Sequence, residues 1–190
     1  MRLLKLLLVL FVCAAGPAGA GPFEDGFAAV QKGDYATALR WYRKAADQGD
    51  AGAQNNLGLM YDQGQGVPQD YAAAMSWYRK AADQGHAGAQ FNLGLMYDQG
   101  QGVPRDYAAA MSWYRKAAEQ GDAGAQFNLG VIYANGQGVP QDYVLAHLLW
   151  NLAAAKGDAD AINNRDIVAA KMTPAQIAEA QKLAREWKPK

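Results

Sequence analysis

The chain has 190 residues, 51% of them hydrophobic, with 18 basic against 18 acidic side chains and one cysteine. That balance excludes the strongly basic face that nucleic-acid phosphates demand. A single cysteine excludes an internal disulfide framework.

Residues 1–20 read as an export leader. Arg2 and Lys5 form a basic start, Leu6 to Ala15 an unbroken apolar run, and Ala18-Gly19-Ala20 a small-residue cleavage site. The run is too short to cross a bilayer. Cleavage after Ala20 removes Cys13, Arg2 and Lys5, leaving 16 basic residues against 18 acidic ones. The mature chain, expected to be periplasmic or secreted, then has no cysteine for a disulfide, a thiolate or a metal. It also has no further apolar run of spanning length.

Residues 21–49 carry a first helix pair, Phe23 to Lys32 and Tyr35 to Gln48, joined tightly through Gly33. A periodic block follows at 50–157. Residues 86–121 repeat 50–85 with four changes in thirty-six positions, and 122–157 is a looser third copy. The pair Asp-Tyr recurs at 34–35, 70–71, 106–107 and 142–143. A fixed period of this size marks a stacked solenoid rather than one globular core.

Within one copy, Ala53, Leu57, Met60 and Tyr61 recur at helical spacing, with Asp50 as N-cap and Gly64 as the left-handed stop. Gly64-Gln65-Gly66-Val67-Pro68 is a connector, because Pro68 cannot continue a helix. Asp70 caps a second helix whose inner stripe is Ala74, Trp77, Tyr78, Ala81 and Ala82, and Gly85 ends it. Gly58 and the Ala81-Ala82 pair allow close backbone approach, with Tyr61, Trp77 and Tyr78 filling the space left. Residues 158–190 read as a closing helix pair. Its second member starts at Thr173-Pro174-Ala175-Gln176, a capping box with proline at the first helical position. Ile177, Ala180, Ala184 and Trp187 are its expected inner face.

The pattern from Ala53 to Gly85, with Leu57-Gly58, Tyr61, Gly64-Gln65-Gly66-Val67, Asp70 and Trp77-Tyr78-Arg79-Lys80-Ala81-Ala82, resembles the Sel1-like repeat. That family is related to the tetratricopeptide repeat. The first pair, with Gly33-Asp34-Tyr35, is closer to an ordinary tetratricopeptide unit. His147 to Gly157, followed by Met172-Thr173-Pro174, resembles the closing segment of exported bacterial members. The resemblance implies an all-α, right-handed α-solenoid of about five antiparallel helix pairs. It also implies a protein-interaction scaffold, without naming the partner.

No catalytic constellation emerges from the residues. His86 replaces an aspartate cap and His147 replaces Met111 on a helix face, so neither is expected to bind a metal or act as a base. Ser76 and Ser112 lack the lysine three residues on that acyl-transfer chemistry uses, since Arg79 and Arg115 stand there. The connector glycines lack the Gly-Lys-Ser/Thr ending of a phosphate loop. No cofactor is expected.

A binding role points to the first helix of each pair, which lines the concave surface in tetratricopeptide-like arrays. Its outward positions are read as Asn55, Leu59 and Asp62, then Phe91, Leu95 and Asp98, then Phe127, Val131 and Ala134. Asn56, Asn92 and Asn128 match the asparagine that such arrays use to hold a peptide backbone, an amide being both donor and acceptor. The alternative for these asparagines, and for Phe91 and Phe127, is packing between repeats. No lysine or arginine falls on 51–63, 87–99 or 123–135, so a clamp for a peptide carboxylate is not expected there and the partner segment should be apolar or neutral. The basic residues Arg43-Lys44, Arg79-Lys80 and Arg115-Lys116 read as a solvated face. The leading expectation is an envelope scaffold for an unidentified protein or peptide. Its rivals are a cell-wall or host-directed binding factor and, more remotely, an exported β-lactam or peptidoglycan hydrolase.

Overall fold

The computed structural model describes residues 21–188, so the expected leader lies outside the described residues. These residues form ten helices. They are α1 Pro22–Gln31, α2 Tyr35–Asp47, α3 Ala51–Gln63, α4 Tyr71–Asp83, α5 Ala87–Gln99, α6 Tyr107–Glu119, α7 Ala123–Asn135, α8 Tyr143–Ala154, α9 Ala159–Ala169 and α10 Pro174–Glu186. Caps set their starts. Asp50 and Asp70 accept the backbone N–H three residues on, at 2.6 and 3.0 Å, satisfying a donor the helix leaves open. His86 does the same for Ala89 through Nδ1, at 3.1 Å. Thr173 and Gln176 form the capping box at the start of α10.

Each pair closes around one contact. Tyr78 of α4 is fully buried and lies flat against α3 where Gly58 has no side chain. A Cβ on Gly58 would stand 2.6 Å from that ring, and one on Gly94 2.4 Å from Tyr114. Gly26 faces Tyr42 and Gly130 faces Trp150 in the same way. Alanines do the remaining work: Ala53, Ala74, Ala81, Ala89, Ala110 and Ala117 have no exposed surface. Small side chains at these points let helix axes approach while the aromatic ring fills the gap.

The pairs then stack. α2 packs on α3, α4 on α5 and α6 on α7. A buried amide chain crosses each junction. Gln90 donates to Ala82 O at 3.2 Å, and its Oε1 accepts from Gln120 at 2.8 Å. Gln54 makes the matching pair of bonds with Ala46 O and Gln84. In the last copy Lys156 holds the place of Gln84 and Gln120 and donates to Gly121 O instead. Gln126 Oε1 is thereby left buried without a partner. The connectors stack as well. Gly64 and Gly66 have φ of +68° and +72°, a region costly to residues with a Cβ. A Cβ on Gly66 would also meet Tyr35 backbone atoms of α2 at 2.8 Å.

The closing pair departs from the regular pattern. α9 packs on α8 as a next first helix would, but α10 also packs on α8 instead of lying along α9. Leu183 and Ala184 of α10 and its C-cap Trp187 cover the cluster that contains Met111, Leu148 and Leu149. Ala180 is buried and Ile177 half-buried, as expected for the inner face. The reason is the apolar surface of α8, where Leu148, Leu149 and Trp150 are all buried, so this helix needs cover on two sides.

Gly94→Ala tests the closing contact. The alanine gains about 1 kcal/mol of helix propensity, whereas overpacking a core costs about 1–3 kcal/mol. With the added methyl at 2.4 Å from a buried ring, the steric term prevails and the urea midpoint falls. Gly88→Ala on the same helix meets the His86 imidazole at 3.2 Å and Asn55 Oδ1 at an ordinary 4.0 Å, and should leave the midpoint unchanged or higher.

Candidate functional site

On the first helix of each of the four repeats, the residue after the ring-facing glycine is apolar. These residues are Phe27, Leu59, Leu95 and Val131, and Ile167 occupies the same register on α9. Phe27 and Ile167 are each 52% exposed, and the three between them are half-buried. Single exposed apolar residues are ordinary, but a row in one register along an array is a patch. α1, α3, α5 and α7 carry no lysine or arginine.

The residues singled out from the sequence behave differently from this row. Phe91 lies across the Tyr114 ring with centroids 5.9 Å apart, and Phe127 across Trp150 at 6.4 Å. Phe91 also fills the space over Gly124, where a Cβ would meet it at 3.0 Å. Phe91 thus joins its own pair to the next repeat, and Phe127 packs on a cluster that includes Ala161 and Val168 of α9. Asn55, expected to point outward, is buried instead. It stands where the other copies have Phe23, Phe91 and Phe127, and its Oδ1 accepts from Asn92 Nδ2 at 3.1 Å. Asn128 donates to the Tyr114 hydroxyl at 3.3 Å. Asn56 contacts Asn55 and borders a recess described below.

Asp62 and Asp98 are tied to the same aromatic rings. Tyr78 donates to Asp62 at 3.3 Å and Tyr114 to Asp98 at 3.2 Å. Burial, then the neighbouring carboxylate, pushes both phenols well above the usual tyrosine range. Burial likewise raises Asp62, with the Tyr78 bond opposing it. Each carboxylate thus joins the first helix of its repeat to the second. In the outer repeats the position is apolar, Val30 in the first and Ala134 in the last, and a recess lies beside each. A recess of about 180 Å³ lies between Val30, Phe27, Asn56 and Leu59. Another of about 260 Å³ lies between Ala134, Val131, Asn164 and Ile167.

Trp150 explains the change at the last junction. It replaces the tyrosine, and its Nε1 donates to Phe127 O at 3.1 Å. A carboxylate at 134 would have no phenol to receive, and an unpaired buried charge is costly.

The face of the second helices is also more structured than a solvated basic surface. Arg43, Arg79 and Arg115 donate to the hydroxyls of Tyr61, Tyr97 and Tyr133 on the following first helix. Trp77 and Trp113 are half-buried rather than core, with the Lys80 and Lys116 ammonium groups 3.8 and 4.0 Å from their ring centroids. The core slot opposite each glycine belongs to the adjacent tyrosine, leaving the larger indole at the edge. His147 is buried, and burial followed by the nearby Arg165 charge lowers its pKa. No group of three potential metal ligands occurs among the described residues.

The residues that sequence reading missed sit on α9. Ile167 and Asn164 follow Val131 and Asn128 at the thirty-six-residue spacing. The signal was there, but the segment read as a cap. α9 also brings Lys171 beside the row, so the expected absence of cations near the first helices does not extend to the C-terminal end.

Stacked helix pairs bearing such a row define an α-solenoid of the kind that generally serves as a protein-interaction scaffold. The Sel1 repeat model matches residues 21–50, 51–86, 87–122 and 123–158, and the chain belongs to the Sel1 repeat family. The first match spans α1 and α2, so the pair read as tetratricopeptide-like is a Sel1 repeat without the long connector. Among solved structures, a Sel1 repeat protein from Oxalobacter formigenes is 36% identical with a TM-score of 0.74. That similarity covers 78% of this chain and 59% of that one. c5321, a protective antigen of uropathogenic Escherichia coli with an SLR fold, is 34% identical with a TM-score of 0.59. There the cover is 87% of this chain and 44% of that one. The chain thus spans roughly half the length of these two neighbours. No curated protein gives a significant match, and no enzyme family is found.

The Asp62 carboxyl gives a pH-dependent prediction. Its folded pKa is raised, so its contribution to stability is fully present below the unfolded value of about 4 and is lost as pH rises through the folded value. Asp62→Asn keeps an acceptor for Tyr78 without the charge. The variant should be more stable than the parent at pH 7, with the difference shrinking toward pH 3.5 in paired urea melts.

Proposed function

We propose that this chain is a non-catalytic scaffold of the cell envelope that binds a protein partner through the row on its first helices. The observation that carries the reading is the register of Phe27, Leu59, Leu95, Val131 and Ile167, five apolar residues along one face with both ends half exposed. An extended or helical apolar segment laid across successive repeats would bury one contact per repeat, which is how repeat arrays build affinity from modest units. The leader-like residues 1–20, with cleavage after Ala20, support export to the periplasm or beyond. The likeness to a protein described as a protective antigen supports the same setting.

Phe91 and Phe127 are unsuited to testing the surface, because their removal loosens the repeats themselves. Phe27→Glu and Ile167→Glu alter exposed positions and should melt within about 2 °C of the parent. A crosslinking pull-down from the envelope fraction should recover a defined protein with the parent and lose it with the double variant. Retention of that protein would move the binding surface to the connectors or the second-helix face. Mass spectrometry of the exported chain should find Gly21 at its N-terminus.

A further inference from the structure

We infer that the recess between α7, α8 and α9 is a pocket for the C-terminal residue of a bound peptide. It would take an apolar side chain on its floor and the terminal carboxylate at Lys171. The inference rests on the scaffold reading above and assigns one end of the bound segment.

Two substitutions build the pocket. Ala134 stands where Asp62 and Asp98 accept from a phenol in the inner repeats, and Trp150 stands where Tyr78 and Tyr114 supply that phenol. The slot is therefore vacated and floored by an indole whose N–H is already held by Phe127 O at 3.1 Å. Val131 and Val168 complete an apolar floor around a volume of about 260 Å³. A cavity of about 150 Å³ admits benzene, while sites for larger ligands start near 300 Å³. One side chain fits; a longer ligand must leave along the surface. Val131 and Ile167 border the recess and belong to the apolar row, so the remainder of a peptide has a continuous path away from it.

The rim selects the charge. Asn135 and Asn164 present amides for which no hydrogen bond occurs among the described residues. Lys171 contacts only the Tyr143 ring, 5.7 Å from its centroid, and no carboxylate pairs with it among the described residues. Arg165, the cation on α9 itself, is already bonded to Asp166 at 2.8 Å and to Asn151 at 3.3 Å. No acidic residue lines the recess. The matching recess at the other end of the array has Gln63 at the position of Lys171, so it offers the same shape without the charge. An apolar slot rimmed by free amides and one uncommitted cation suits a group carrying both a hydrocarbon side chain and a carboxylate.

The test is a titration of nitrogen-15-labelled protein with acetyl-Ala-Ala-Leu, as the free acid and as the amide, followed by the Trp150 indole resonance. The acid should shift that resonance saturably, and the amide should bind at least about tenfold more weakly. Lys171→Gln, a change at an exposed position to the residue of the equivalent site, should melt like the parent and lose the preference for the acid. Equal binding of acid and amide would overturn the proposal. So would a Trp150 signal unmoved at about 1 mM, or a preference that survives in Lys171→Gln. Phe27→Glu, at the far end of the array, should leave the titration unchanged. Partner capture retained in Phe27→Glu/Ile167→Glu, with the parent's preference for the acid intact, would therefore sink the scaffold surface and spare the pocket; capture lost in that variant, with no preference for the acid in the parent, would sink the pocket alone.

Discussion

Everything in this array depends on a ring lying flat against a helix that has no side chain at the point of contact. Gly26, Gly58, Gly94 and Gly130 each sit mid-helix, where glycine costs about 1 kcal/mol relative to alanine. In return Tyr42, Tyr78, Tyr114 and Trp150 come closer than any Cβ would permit. That contact sets the spacing within each pair. The spacing in turn places the buried alanines, the glutamine chain and the next repeat. Phe23, Phe91 and Phe127 on the same first helices then pack against those rings, and Phe23 and Phe91 also reach Gly52 and Gly124 of the next repeat, so pair closure and stacking share one element.

The carboxylates Asp62 and Asp98 show how a repeat can fill or empty one position without altering the stack. In the two inner repeats a partly buried carboxylate accepts from the phenol. Where the ring is an indole, the carboxylate has no donor to meet, and alanine leaves a recess. Two residue changes therefore separate the last repeat from the inner ones, whereas the first repeat keeps its phenol, Tyr42, beside Val30. Near-identity of the inner copies is consistent with a purely structural role for their junctions, while the ends carry the variation that a partner could read.

The candidate surface was only partly legible. Leu59, Leu95 and Val131 were visible as outward positions, because helical spacing alone separates them from Leu57, Leu93 and Leu129. Phe91 and Phe127 looked equally outward, since periodicity cannot tell a ring that meets solvent from one that meets the next repeat. Asn55 misled for the same reason. It occupies a phenylalanine position, and only the neighbouring Asn92 reveals why a polar group is tolerated there. Trp77 suggested a core residue by its size, yet the glycine opposite selects the adjacent tyrosine.

The sequence by itself determined the period, the caps, the connector glycines and the order of helices, because these follow from local chemistry repeated every thirty-six residues. It also carried the row into α9, although the absence of the connector and of the Leu-Gly pair there disguised it. Tertiary structure alone decided what each half-buried side chain faces. The packing of α9 and α10 onto α8, the opening of a recess at Ala134 and the arrival of Lys171 beside it all depend on contacts between repeats. A linear pattern specifies which residues share a helix face, and the stacking of helices decides which of those faces remain open.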